Sequence, residues 1–190
     1  MQLAELKDFY LVGGTALSLY YGHRLSIDLD LFSTSEFKNE ALLPALEKEL
    51  PGFTYSNPNN PIGLFTFVND IKVDFVKHYQ FSLIDKPFVE DGIRLFSISD
   101  LMAMKIAAIL KRGVKKDFWD IAELLQHYSI EDFINFYNQK YPNQQLLISI
   151  PQALIYFADA EEGPDPVSLK GQTWKKVKKE IQKAVNNYLK

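Results

Sequence analysis

The stretch from Gly13 to Phe32, GGTALSLYYGHRLSIDLDLF, constrains the fold more than any other part of the chain. It opens with a Gly-Gly-Thr turn. It continues through a short apolar helix over Thr15–Tyr21, ended by Gly22, and runs into a strand over Ile27–Phe32. Residues two apart on a strand share a face. The strand therefore sets Asp28 beside Asp30, with Ile27, Leu29 and Leu31 turned to the core. Two adjacent like charges repel. A hard divalent cation, which takes oxygen ligands, is the usual reason to keep such a pair.

At 190 residues and 47% apolar, the chain can bury a core as one domain, or as one domain with a helical extension. It has no cysteine, which excludes disulfides, thiolate zinc sites and a cysteine nucleophile. The N-terminus, MQLAELKDFYLVGG, lacks the basic-then-apolar order of a secretory signal, and no apolar run is long enough for a bilayer. These features predict a soluble, cytoplasmic protein with no membrane partner. The formal net charge of −3 argues against a general nucleic-acid coat. Two segments are nevertheless basic, KRGVKK at 111–116 and the terminal WKKVKKEIQKAVNNYLK. They either offset phosphate repulsion locally or form solvated helix faces.

The N-terminal half alternates short strands and helices. A strand is expected at Phe9–Val12. Ser33, Thr34 and Ser35 offer caps for a helix reaching about Leu50, which Pro51-Gly52 stops. After a polar loop at 55–61 come strands Gly63–Val68 and Ile71–Lys77, joined by a tight Asn69-Asp70 turn. From Ser97 the pattern becomes helical. SISDLMAMKIAAIL is followed by KKDFWDIAELLQHY, with Phe118, Ile121, Ala122 and Leu125 on one stripe. IEDFINFYNQKY comes next, then QQLLISIPQALIYFADA, which Pro151 divides or kinks, and a terminal helix over Thr173–Leu189. The pattern divides into an α/β core over 1–95 and a helical region over 96–190.

A third carboxylate stands on the strand IKVDFV, where Asp74 lies between Val73 and Phe75 and shares a face with Lys72 and Val76. An acidic residue in a core strand is costly unless it is paired or ligates a metal. If this strand lies beside Ile27–Phe32, Asp74 joins Asp28 and Asp30 in one cluster; otherwise it is an exposed residue of an edge strand. The Gly13-Gly14-Thr15 turn would let a phosphate approach the backbone at a helix N-terminus, where Thr15 either caps the helix or bonds a phosphate oxygen.

Gly-Gly-Thr, then Asp-x-Asp, then a lone Asp on a later strand resembles the DNA polymerase-β-like nucleotidyltransferase superfamily. The closer resemblance is to the AbiEii/AbiGii-type toxin nucleotidyltransferases. It is carried by GGTAL at 13–17, GHRLSIDLDLF at 22–32, VDFV at 73–76, DLMAMKIAAILKRGVKKDFWDIAELL at 100–125 and ALIYFADAEEGPDP at 153–166. The resemblance implies an α+β fold, a small mixed sheet with helices packed on it, followed by a helical C-terminal region that closes the active-site cleft. It implies transfer of a nucleotide from an NTP to an acceptor such as tRNA or protein, with release of pyrophosphate. Two Mg²⁺ ions, or Mn²⁺ in their place, would be held by Asp28, Asp30 and Asp74. Gly13, Gly14 and Thr15 would hold the triphosphate. It further implies the toxin of a toxin–antitoxin or phage-defence pair, with a cognate antitoxin as partner.

Lys105 has Leu101, Met102, Ala108 and Ile109 as helical neighbours, so its ammonium must snorkel out or find an anion. The family has a functional lysine at the matching position, which implies a triphosphate as that anion. Asp117 either caps its helix or, as the family's KDFWD motif implies, serves the active site; Asp120 is expected to pair with Lys116 or Arg112. Arg24 is placed to fork onto a phosphate or onto Asp28, and Ser26, which could cap or support the strand, joins it in the nucleotide-binding set. Two other readings use the same residues: a non-catalytic nucleotide-binding or protein-interaction module, and a kinase-like phosphotransfer enzyme.

Overall fold

The computed structural model describes residues 1–190. The chain divides into two compact units, Met1–Ala16 with Ile27–Ser97, and Leu17–Ser26 with Ile98–Lys190. The fold is α+β with a mixed sheet, as the sequence predicts.

The first unit is built on seven strands: β1 (Phe9–Val12), β2 (Leu29–Ser33), β3 (Phe53–Tyr55), β4 (Gly63–Val68), β5 (Ile71–Lys77), β6 (Phe88–Glu90) and β7 (Ile93–Leu95). Their order in the sheet is β3-β4-β5-β2-β1-β7-β6. The β2–β5 and β1–β7 pairs are parallel, and the others are antiparallel. The register lines up Leu64, Phe75, Leu31, Leu11 and Leu95 as one row across five strands. All five side chains are buried. Aromatic contacts extend this core, with Phe9 edge-on to Phe75 at 5.7 Å and Phe37 at 4.9 Å from Phe9.

Strand limits follow from where the ladder has partners. β4 and β5 lie where the alternation predicts, and Asn69 and Asp70 between them both take left-handed φ values of 48° and 66°, the geometry of a tight hairpin turn. β2 starts two residues later than expected. Ile27, expected in the core, is 75% exposed; it lies just ahead of β2, next to Asp28, whose carbonyl accepts the Thr15 hydroxyl. Ser33 does not cap a helix. It continues β2, opposite Phe9 on one side and Lys77 on the other, so α2 begins only at Asn39 and runs to Glu49. β3, β6 and β7 were not anticipated, since three residues are too few to show a period. The Asp91-Gly92 turn between β6 and β7, with φ of 50° and 75°, is the one local signal for that hairpin.

The second unit contains α3 (Ile98–Lys111), α4 (Lys115–Leu124), α5 (Ile130–Lys140), α6 (Ile150–Leu154) and α7 (Trp174–Tyr188). The ninth-residue end of α1 (Gly13–Tyr21) is closed by Gly22, whose φ of 57° suits a residue without Cβ. Its following residues join this unit as an extended segment: Leu25 N–H donates to Val167 O at 2.9 Å, and Leu169 N–H to His23 O at 2.9 Å. Ser129 and Asp132 form a capping box at the start of α5. Pro151 neither divides nor kinks a long helix. It sits in the first turn of the five-residue α6, behind a Ser149 cap, where a missing N–H costs nothing. α3 packs on α5 and α4 on α7. Val177, Ile181 and Val185 form the buried stripe of α7, and Trp174 stacks on Trp119 at 5.9 Å.

Asp100 of α3 and Lys140 of α5 form an ion pair of 2.7 Å with both side chains fully buried. Removing one charge from such a pair strands the other in a low dielectric. Lys140→Met is expected to lower the unfolding free energy by about 3–5 kcal/mol. The double variant Asp100→Leu/Lys140→Met should recover most of that loss, as measured by urea denaturation.

Candidate active site

Two clusters of candidate residues form, one in each unit. In the first unit the register that builds the apolar row also decides the opposite face. Asp30 stands opposite Asp74 across β2 and β5, with Phe65 beyond Asp74 and Val12 beyond Asp30. Paired residues on adjacent strands share a face at a strand spacing of about 4.8 Å. β5 lies inside the sheet, between β4 and β2, and Asp74 is only 5% exposed, so the edge-strand alternative is excluded. Asp74 Oδ2 accepts from the Lys72 ammonium, whereas its Oδ1 is buried without a hydrogen-bond partner.

Gly13 belongs to the same cluster. A Cβ at this position would lie 2.7 Å from Asp30 Oδ2, and its φ of 70° is left-handed. Only glycine lets the start of α1 meet the Asp30 carboxylate this closely. Gly14 follows in the first turn of α1. Thr15 is buried, and it neither caps the helix nor stands free: its hydroxyl fastens the backbone of Asp28. Asp28 itself stands one residue ahead of β2. Of the three expected carboxylates, Asp30 and Asp74 stand in register and Asp28 lies at the entry to β2. Asp30 and Asp74 are the pair the sheet brings together. Hard carboxylate oxygens and a partnerless buried Oδ1 suit one divalent cation of the Mg²⁺ or Mn²⁺ type.

The second cluster is a buried charge network. Lys105 of α3 does not snorkel; its Nζ lies 2.9 Å from Asp117 Oδ1 and 2.7 Å from Asp120 Oδ2, both on α4. Arg24 grips Asp120 through both arms, with Nε 2.6 Å from Oδ1 and Nη2 2.9 Å from Oδ2. It therefore does not fork onto Asp28. Its Nη1 donates to Leu25 O at 3.0 Å. Arg112 bonds Asp117 at 3.2 Å, not Asp120 as expected. Asp117 is no helix cap: α4 begins at Lys115 after Val114, without a side-chain cap. Ser26 stands half-buried in the segment between Arg24 and β2.

His23 was not foreseen. Its Nε2 lies 2.8 Å from Asp120 Oδ1, its ring is fully buried, and its Nδ1 has no partner. Nothing in its spacing foretells this, because the contact to Asp120 spans 97 residues.

Burial would raise the carboxylate pKa values of this cluster, but their partners outweigh it. Lys105 and Arg112 hold Asp117 below the usual carboxylate range, and Lys105, His23 and Arg24 do the same for Asp120. Burial likewise pulls the Lys105 ammonium down, and Asp120 and Asp117 bring its net shift upward.

Comparison with known proteins gives the chain its place. The family described as "Nucleotidyl transferase AbiEii toxin, Type IV TA system" matches residues 2–63 and 64–187. The chain belongs to this family. It is a nucleotidyltransferase. An uncharacterized protein of Aquifex aeolicus is 31% identical over 197 residues, covering all of this chain and 92% of that one. Two solved structures share the fold. JHP933 from Helicobacter pylori is 18% identical with a TM-score of 0.57, covering 95% of this chain and 83% of that chain. MenT4, a nucleotidyltransferase toxin from Mycobacterium tuberculosis, is 15% identical with a TM-score of 0.56, covering 95% of this chain and 76% of that chain. No helix of this AbiEii-family protein is long and apolar enough to cross a membrane.

Two outcomes follow from these clusters. Gly13→Ala should cost about 1–2 kcal/mol for the left-handed backbone alone, with a further loss from the clash at Asp30, read as a lower urea midpoint. A carboxylate whose folded pKa is depressed contributes stability above its unfolded pKa and loses it as pH falls. The unfolded value is about 4, so the cluster's contribution is full at pH 7 and is lost progressively as pH falls below about 5. Asp120→Asn should be less stable at pH 7 and show a shallower loss over that interval, measured by denaturation across pH.

Proposed function

We propose that this protein is a divalent-metal-dependent enzyme that transfers a nucleoside monophosphate from an NTP to an acceptor hydroxyl, on tRNA or on protein. The observation that carries the reading is the register of Asp30 with Asp74 on one sheet face, packed against the Gly13 turn at the start of α1. Phosphoryl-type transfer asks the protein mainly for positioning and charge neutralisation.

Asp30 and Asp74, with Asp28 at the mouth of β2, would hold the metal, Mg²⁺ or Mn²⁺. Such an ion neutralises triphosphate charge and eases departure of pyrophosphate. The backbone of Gly13 and Gly14 gives the triphosphate a close approach at a helix N-terminus. The Thr15 hydroxyl, bonded to Asp28 O, stiffens that approach from below. Asp74, through its partnerless oxygen, is placed to accept the acceptor's proton or orient its hydroxyl. Within the helical unit, Lys105, Arg24, Ser26 and Asp117 are the side chains proposed to meet the nucleotide. In that role Asp117 and Asp120 hold the Lys105 ammonium and Arg24 guanidinium in place until a phosphate competes for them. The family's toxin character supports a cognate antitoxin as the cellular partner, and phage defence as the setting.

The test is incubation of the protein with each α-³²P-labelled NTP, a divalent metal, total RNA and cell extract. Label should move to one macromolecular species, and γ-labelled NTP should give none. Asp30→Asn and Asp74→Asn should each lower the rate at least about a hundredfold, the loss of about 3 kcal/mol of transition-state stabilisation. Transfer that persists without metal, or that retains the γ-phosphate on the product, overturns the proposal.

A further inference from the structure

Lys72, which has no part in the proposed transfer, is in direct contact with Asp74. Both lie on the same face of β5, two residues apart, and the Lys72 ammonium bonds Asp74 Oδ2. The two side chains differ in setting. That of Asp74 is 7% exposed and that of Lys72 is 44% exposed. On the neighbouring β4, Phe65 stands opposite Asp74 and Phe67 opposite Lys72. Together with Tyr55 they line a pocket of about 230 Å³ that reaches both Lys72 and Asp74. The carboxylate is thus fixed in an interior strand, while its cation is a flexible, half-exposed arm at an accessible pocket.

A carboxylate this buried needs a positive charge. Lys72 supplies one on Oδ2 and leaves Oδ1 bare. A divalent ion bridging Asp30 and Asp74 would have to share Asp74 with that ammonium or displace it. Resting on the metal reading of Asp30 and Asp74, we propose that Lys72 is a tethered cation that competes with the divalent ion for Asp74. It keeps metal affinity low until a nucleotide arrives with its own negative charge. The ammonium then leaves Asp74 for the pocket mouth, where its long stem lets it meet an incoming phosphate. Exposed lysine arms of this kind are only weakly held, so the exchange is readily reversible.

The experiment titrates Mn²⁺ into the full chain without nucleotide at pH 7.5, reading free Mn²⁺ by electron paramagnetic resonance. Lys72→Met removes the charge and keeps the stem; it should bind Mn²⁺ at least about tenfold tighter than wild type, as removal of a like charge at about 4 Å predicts. Lys72→Arg should stay at the wild-type affinity, and Lys72→Met/Asp74→Asn should lose the gain. Lys72→Gln serves in place of Lys72→Met if far-ultraviolet circular dichroism shows the latter unfolded. Asp30→Asn separates the two levels of the proposal. If Asp30→Asn weakens Mn²⁺ binding but loss of the Lys72 charge leaves it unchanged or weaker, the inference about Lys72 is wrong and the metal reading stands. If Mn²⁺ binds no variant, or binds without regard to Asp30 and Asp74, the metal reading is wrong and this inference falls with it.

Discussion

The pairing of β2 with β5 is the constraint on which the first unit depends. One register places Leu31 beside Phe75 in the core and Asp30 beside Asp74 on the opposite face. A slip of β2 by one residue would drive Asp30 into the apolar row and turn Leu31 out. Burying an unpaired carboxylate among apolar side chains costs far more than such a slip could recover. The same apolar contacts that stabilise the sheet therefore aim the acidic pair. Gly13 completes the arrangement, since its missing side chain is the space that the Asp30 carboxylate occupies.

The helical unit contains two kinds of buried charge. Asp100 and Lys140 hold α3 to α5 through a direct pair. The network around Asp120 differs: two cationic side chains, Arg24 and Lys105, and the His23 ring converge on one carboxylate, and His23 brings a ring nitrogen with no partner. Buried ion pairs are weak devices for stability, because desolvation offsets most of their attraction. A cluster that concentrates several such groups, with a polar atom left over, is costly as scaffolding and marks a candidate functional site, which the single Asp100–Lys140 pair does not.

Family membership gives the reaction class, and the register gives that class a physical seat. The division of labour it suggests is simple. The sheet fixes carboxylates whose geometry cannot drift, and the half-exposed Lys72 carries positive charge on a flexible stem. Rigid anions and flexible cations suit a reaction in which a highly charged substrate must enter, react and leave.

Long periodic segments were legible from the chain alone. β4, β5 and the Asn69-Asp70 turn between them, α3 and α7 all follow from alternation, helical stripes and turn residues, because those are local preferences summed over many positions. Asp30 and Asp74 were legible as candidates for the same reason: an acidic residue inside an apolar strand conflicts with its surroundings wherever the strand lies. The three-residue strands were not, and neither was the late start of β2, since a hydroxyl from Thr15 and an extended pairing with residues 167–169 decide it. The sequence by itself determined the long strands and helices and which side chains are chemically out of place. Only the tertiary structure decided their partners: that Arg24 and His23 go to Asp120, that Arg112 goes to Asp117, and that Asp30 stands opposite Asp74. Propensity acts over a few residues, whereas charge pairing across 96 or 97 positions exists only after the chain has closed on itself.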